Sequence, residues 1–343
     1  MPEEITWRYG PLSRRINPKT GCRLVIGVLI TALVILVSLS LGKVQLLPHE
    51  VIQILLASEP SGLNFIVEQL RFPRTLLAWL VGVALGLSGL ILQSIVRNPL
   101  ASPDLLGVTS GASAAAVLYL AFFSMTLGTA YLPLAAMAGA GLAAAAIYLL
   151  AWQEGASPLR LVLVGVGISA LLTAVTTFLL VFSPMSTTLS AYVWLAGSVY
   201  GATWQETQSL SLWLLVQLPM LIWLSRQVVV QQLDDGLAQG IGVSVQWLRA
   251  WLLFASVALA GTAIAWGGGI AFVGLIAPHI AKKLVAPGFV GQAVMTALIG
   301  GMLVLLADLI GRTLFLPADL PAGIFVAALG TPFFIYLLIK QRH

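Results

Sequence analysis

Apolar residues run through this chain in stretches of about twenty, separated by short polar breaks, which is the pattern of membrane-crossing helices. Candidate spans fall near residues 24–42, 75–96, 105–124, 130–151, 159–182, 207–225, 248–266, 270–283, 292–311 and 322–339. That makes ten. The eighth is short, because only Ile270–Ala281 separates Gly267–Gly269 from Lys282 and Lys283, and such a helix reaches about 18 Å across a hydrocarbon core of about 30 Å. With ten crossings and the N-terminus inside, 13 of the 17 Lys and Arg residues are cytoplasmic, leaving Lys43, Arg71, Arg74 and Arg312 outside. Without the eighth crossing, Lys282, Lys283, Lys340 and Arg342 move out, Arg312 moves in, and the bias nearly vanishes. The positive-inside rule therefore favours ten crossings, both termini cytoplasmic, with Gly267–Gly269 partly within the membrane.

Composition supports one membrane domain. The chain is 59% hydrophobic and 8% charged, where soluble domains carry about 25% charged residues. The net charge of +5 does not point to nucleic acid, since Lys and Arg sit at the ends of apolar runs rather than in a patch. Residues 1–23 read as a cytoplasmic tail and 24–343 as a single transmembrane domain. The first apolar run, Leu24–Leu41, is longer than a signal-peptide core and lacks a small-residue cleavage site, so it reads as an uncleaved span. A single cysteine, Cys22, permits no intrachain disulfide.

The breaks between spans carry the candidate chemistry. Outside, residues 43–70 contain Glu50, Glu59 and Glu68, and residues 183–206 are long enough for a short interfacial helix bearing Trp194 and Trp204. Inside, the long connection 226–247 contains Asp234, Asp235, Gly236, Leu237, Gly240, Gly242 and Val243. It holds no nucleophile, metal cluster or phosphate loop, so it reads as a contact surface. The chain also has no Gly-x-x-x-x-Gly-Lys-Ser/Thr sequence, so ATP and Mg²⁺ are not expected to bind here, and no cofactor or metal is expected.

Arg71 and Arg74, bracketing Phe72 and Pro73, stand at an outer boundary against the charge bias; they either dock a partner or snorkel to headgroups. Arg97 before Asn98 and Pro99 marks a helix stop. Asp308 is the acid well inside a span, one helical turn before Arg312, and is either its structural partner or a proton site for an ion-coupled carrier. His279 after Pro278 lacks companion ligands at metal spacing and reads as a helix-end cap or a contact with the 226–247 region. No Ser/His, paired-Asp or His-Glu-x-x-His arrangement lies in the spans, which disfavours an intramembrane enzyme.

The run from Arg71 through Arg74 to Gln93, Arg97, Asn98, Pro99, Pro103 and Gly107 resembles the signature of the FecCD family of iron-siderophore, haem and cobalamin importer permeases. The resemblance continues in order through Trp194–Ser198, Gly201–Trp204, Leu237–Val243, Ile270–His279, Asp308 with Arg312, Leu320–Gly323, and Gly330 with Pro332, and covers about residues 42–339. It departs at Lys282–Gly288, where many members carry Gly-x-Asp-His-Arg, and at Asp319, where Glu is frequent.

The resemblance implies an all-α permease of about ten transmembrane helices with the architecture of a type II ABC importer, in the bacterial inner membrane. It implies a second permease copy or paralogue, two ATPase subunits holding ATP and Mg²⁺, an extracytoplasmic substrate-binding protein, and a ferric siderophore, haem or cobalamin as cargo. Coupling helices map onto residues 231–246, and the outer arginines that meet binding-protein glutamates map onto Arg71, Arg74 and Arg312.

Overall fold

A computed structural model of the chain describes residues 5–9, 12–16, 18–56, 62–153, 155, 157–231, 235–240 and 242–340. Ten principal helices follow one another: α1 Pro18–Ser40, α2 Phe72–Val96, α3 Val108–Phe122, α4 Leu132–Ala151, α5 Pro158–Phe182, α6 Trp204–Ser225, α7 Val245–Gly267, α8 Val273–Leu284, α9 Phe289–Thr313 and α10 Ala322–Lys340. All but α3 and α8 are long and apolar enough to cross a membrane. The ten apolar stretches of the sequence match these helices one for one.

Several boundaries differ from expectation for identifiable reasons. α1 begins at Pro18, because proline suits the first helical turn, and it draws Lys19 to Arg23 out of the expected tail. Upstream lies an antiparallel hairpin, Ile5–Tyr9 with Leu12–Ile16, where a polar tail was expected. α2 extends upstream through a π-helical turn, Phe65–Arg71. α3 starts only at Val108, because Pro103–Leu106 forms a 3-10 turn closed by left-handed Gly107. The interfacial helix expected outside is Met185–Leu195, whereas Trp204 opens α6, where Thr203 and Glu206 form a capping box.

α2, α7 and α9 are the inner helices, and α2 packs against α7, α8 and α9. Glycine makes this close packing feasible. A Cβ at Gly82 would overlap the Gly300 carbonyl, and one at Gly89 would overlap Gly274, so α2 meets α9 and α8 backbone to backbone. Between α2 and α7 the Ser88 and Ser256 hydroxyls lie 2.9 Å apart, and each is placed to donate its one proton to the other's backbone carbonyl, at 2.7 and 3.0 Å. In a medium without water these bonds satisfy groups that would otherwise be orphaned.

α8 is the 12-residue helix that the sequence marked as short. The turn before it, with Gly268 at φ +69 and Phe272 at φ +66, is folded inside the bundle. Gly269 donates to the Trp194 carbonyl there.

Candidate functional site

Two clusters of charge lie at opposite ends of α2. By the helical rise, the 23 residues from Arg74 to Arg97 place them about 35 Å apart.

At the Arg74 end, sequence reasoning brought together Arg71, Arg74, Arg312 and Asp308, and the structure places all four in contact-range of the ends of α1, α2 and α9. Their guanidiniums turn inward. Arg71, 6% exposed, donates to the carbonyls of Leu39 at 2.7 Å, Ser40 at 3.1 Å and Val44. Arg312, 9% exposed, donates to the Ser38 carbonyl at 2.5 Å, the Ser38 hydroxyl at 2.7 Å and the Leu41 carbonyl at 3.1 Å. Ser38, Leu39 and Ser40 are the last residues of α1, whose carbonyls have no partner within the helix and where the helix dipole also favours cations, and Leu41 and Val44 follow directly after it. Two arginines expected to face outward thus cap a helix end.

Arg74 is engaged differently. Its Nη2 and Nε donate to Asp308 Oδ1 at 2.7 and 3.0 Å, while Nη1 and Nη2 donate to the two Asp319 oxygens at 2.7 Å each. Its guanidinium also lies 5.6 Å from the centroid of the exposed Tyr200 ring. Asp308 is 1% exposed, and its main partner is Arg74 rather than Arg312. Arg312 Nε stands 3.4 Å from Asp308 Oδ2, an ion-pair distance without hydrogen-bond geometry. Asp319, 26% exposed, is the partner nearest to solvent.

At the Arg97 end, the connection 226–247 contains two short helices, Val228–Gln231 and Asp235–Gly240, before α7. Asp234 lies outside the described residues. The Asp235 carboxylate binds Arg97, which closes α2 in the left-handed conformation (φ 54), and Arg249 of α7 at 3.0 and 3.1 Å. Burial opposes ionisation of Asp235, but hydrogen bonds from Arg249 and Arg97 outweigh it and hold the carboxyl below its usual range. Gly236, Leu237 and Gly240 are exposed, whereas Ala238 is buried beneath them. Gly242, at φ +84, donates to the Gln239 carbonyl, and Val243 donates to that of Ala238, so the loop is bent back rather than extended.

Arg249, 1% exposed, was missed by sequence reasoning, because one arginine in the first turns of a span looks like an ordinary boundary charge. Pro278 is buried within α8. The His279 ring packs edge-on against Phe333 at 5.6 Å, and its Nε2 has no hydrogen-bond partner. The nearby Lys282 Nζ donates to Gln93 at 2.8 Å, joining α8 to α2. Among the described residues, no three His, Cys, Asp or Glu side chains gather at metal-holding range.

A third feature is a concavity of about 550 Å³ between α3, α5 and the Met185–Leu195 helix. Its wall carries hydroxyls from Thr109, Ser110, Ser113, Thr173, Thr177 and Thr188. α5 is among the most outward-facing of the helices, so these groups stand on a surface that hydrocarbon alone would not select.

This all-α bundle of apolar spans, with a folded polar connection at one end, has the architecture of a multi-pass type II ABC importer permease. The chain belongs to the FecCD transport family, which it matches over residues 30–340. It is 66% identical to the achromobactin transport system permease protein CbrC of Dickeya dadantii (strain 3937), across 100% of this chain and 98% of that protein. It is 38% identical to the iron(3+)-hydroxamate import system permease protein FhuG of Bacillus subtilis (strain 168), across 92% of this chain and 95% of the relative. A solved metal-chelate type ABC transporter in an inward-facing conformation superposes with a TM-score of 0.82 at 30% identity, covering 94% of this chain and 99% of that one.

Proposed function

We propose that this chain is the permease subunit of an ATP-driven importer that carries a ferric siderophore across the cytoplasmic membrane. The observation that carries the reading is full-length similarity to a permease named for achromobactin transport, at 66% identity. Residues 24–343 act as one permease domain with both termini cytoplasmic, in keeping with the 13-to-4 charge division. A second permease copy or paralogue completes the translocation path. The hydroxyl-lined concavity between α3 and α5 is suited to form part of that path's wall, since hydroxyls donate to and accept from a polar chelate without fixing it by charge.

Two ATPase subunits bind the cytoplasmic face and hold ATP and Mg²⁺, with no cofactor in this chain. The coupling contact falls on residues 231–246, where Gly236, Leu237 and Gly240 are exposed on a short helix and Gly242 and Val243 turn the chain back. A substrate-binding protein docks at the Arg71–Arg74–Arg312 end. Arg71 and Arg312 build that end by capping α1. Arg74 meets the partner by exchange: a glutamate on the binding protein replaces Asp319 on its fork, a swap of one carboxylate for another that steers docking at modest affinity.

The test is uptake of ⁵⁵Fe-loaded achromobactin, against ferric hydroxamate and haem, in cells whose own chelate permeases are deleted. Restoration of ferric achromobactin uptake that depends on a cognate ATPase supports the reading. Restoration without any ATPase, abolished by a protonophore, overturns it in favour of an ion-coupled carrier.

A further inference from the structure

One carboxylate in the connection between α6 and α7 ties it to two helices of the bundle. Asp235 opens the Asp235–Gly240 helix and is held from two sides by residues that belong to different principal helices. Arg97 is the C-cap of α2, held at φ 54 and ψ 32, a backbone conformation that side chains other than glycine rarely adopt. Asn98 follows with its side-chain oxygen accepting from the Leu100 amide at 2.9 Å, which fixes the turn beyond it. Arg249 sits one turn into α7 and is almost wholly buried, while Asp235 itself is 39% exposed. A buried guanidinium that reaches out to a half-exposed loop carboxylate has geometry set by the bundle, not by the loop.

We propose that Arg97, Asp235 and Arg249 form a clasp that makes the Asp235–Gly240 helix move as one body with the cytoplasmic ends of α2 and α7. Arg97 and Arg249 are positioning residues: they touch neither nucleotide nor cargo and act through the helix they hold. The inference rests on residues 231–246 being the ATPase contact. It adds the route by which displacement leaves that contact. α2 and α7 are joined to each other midway by the paired Ser88 and Ser256 hydroxyls, so a push on Asp235 is delivered to two helices that are already cross-linked. α2 carries the movement to its other end, where Arg74 joins it to Asp308 of α9 and to Asp319. Arginine suits both ends of this rod because its planar fork binds carboxylates with fixed geometry.

The experiment uses the complete transporter reconstituted in liposomes with its ATPase and binding protein. Uptake per ATP hydrolysed is measured for Arg249→Gln, Arg97→Gln, Asp235→Asn and the double variant Asp235→Asn with Arg249→Gln. In parallel, Leu237→Cys is introduced for crosslinking to the ATPase. Each single variant is expected to lower uptake per ATP about tenfold in complexes that still co-purify and still crosslink through Leu237→Cys. The double variant is expected to be no worse than the poorer single one, because both changes open the same clasp. Arg97→Gln, at the more exposed side of the cluster, keeps the test valid if the Arg249 variant does not assemble. Unchanged coupling in an assembled Arg97→Gln or Arg249→Gln complex that crosslinks overturns the clasp and leaves the ATPase contact standing. Multiplying losses in the double variant also overturn it. Failure of Leu237→Cys to crosslink in the otherwise unaltered complex overturns the contact on which the clasp depends.

Discussion

Removing the charge of Asp308 should destabilise the permease by about 3 kcal/mol, the lower end of the cost of breaking a buried ion pair. The lower end is chosen for structural reasons. Asparagine retains an acceptor for Arg74, Arg74 keeps Asp319, and Arg312 keeps three oxygens from Ser38 and Leu41. The cost remains substantial because Asp308 is 1% exposed and its two cationic neighbours are 12% and 9% exposed, so little water replaces the lost charge. At about 2 °C per kcal/mol, the rate for large domains, Asp308→Asn should lower the unfolding midpoint in detergent by roughly 6 °C. Asp319→Asn, on the 26% exposed partner, should cost at most about 1 kcal/mol and shift it by about 2 °C. The assay is loss of the monodisperse peak after heating, followed by size-exclusion chromatography of a fluorescent fusion. Equal shifts for the two variants, or an Asp308→Asn midpoint within 1 °C of the parent, would refute the assignment of Asp308 as the anchor of the cluster.

Other expectations concern different parts of the molecule. Gly89→Ala should abolish accumulation of folded protein, since its methyl would overlap the Gly274 backbone and overpacking costs about 1–3 kcal/mol even where side chains can yield; normal expression and thermal stability would contradict the close α2–α8 approach. Because the Asp235 carboxyl is held below its ordinary value, its contribution is present above that value and is lost only as pH falls through the depressed one. Fluorescence anisotropy of a probe at Leu237→Cys should therefore stay flat from pH 8 to 5 and fall only in or below the usual carboxylate range near 4; a change centred near pH 6.5 would refute it. Thr173→Val with Thr177→Val should reduce ferric chelate uptake about tenfold at unchanged expression, and full uptake would remove the α5 hydroxyls from the path. Arg74→Glu should weaken binding-protein association more than Asp319→Ala does, as measured by surface plasmon resonance on the purified permease.

Much of the bundle was legible because twenty-residue apolar stretches are set by membrane thickness rather than by tertiary detail. The shortness of α8 was visible in the spacing between Gly267–Gly269 and Lys282. Other features depended on information the local sequence does not hold. The partners of Arg71 and Arg312 are backbone carbonyls at the end of α1, which carry no residue code, so an outward fork and an inward cap read alike. Asp308 reads from the sequence as either a structural partner of Arg312 or a proton site, yet its strongest partner, Arg74, lies 234 residues away rather than one turn along the helix. Arg249 was hidden by resemblance to a boundary charge. The hairpin at residues 5–16 did leave a trace, since apolar and polar residues alternate through Ile5, Thr6, Trp7, Arg8 and Tyr9; the basic character of that stretch drew the reading to topology instead.

The cap on α1 has a consequence for how the chain is made. Carbonyls at residues 38 and 41 wait for Arg312, which is synthesised some 270 residues later, and α1 packs chiefly against α9. During synthesis α1 enters the bilayer with its C-terminal end incompletely capped and stays so while seven more principal helices are inserted. A chain interrupted before α9 therefore lacks the donor that completes the end of its first helix, and arrival of the ninth helix supplies it.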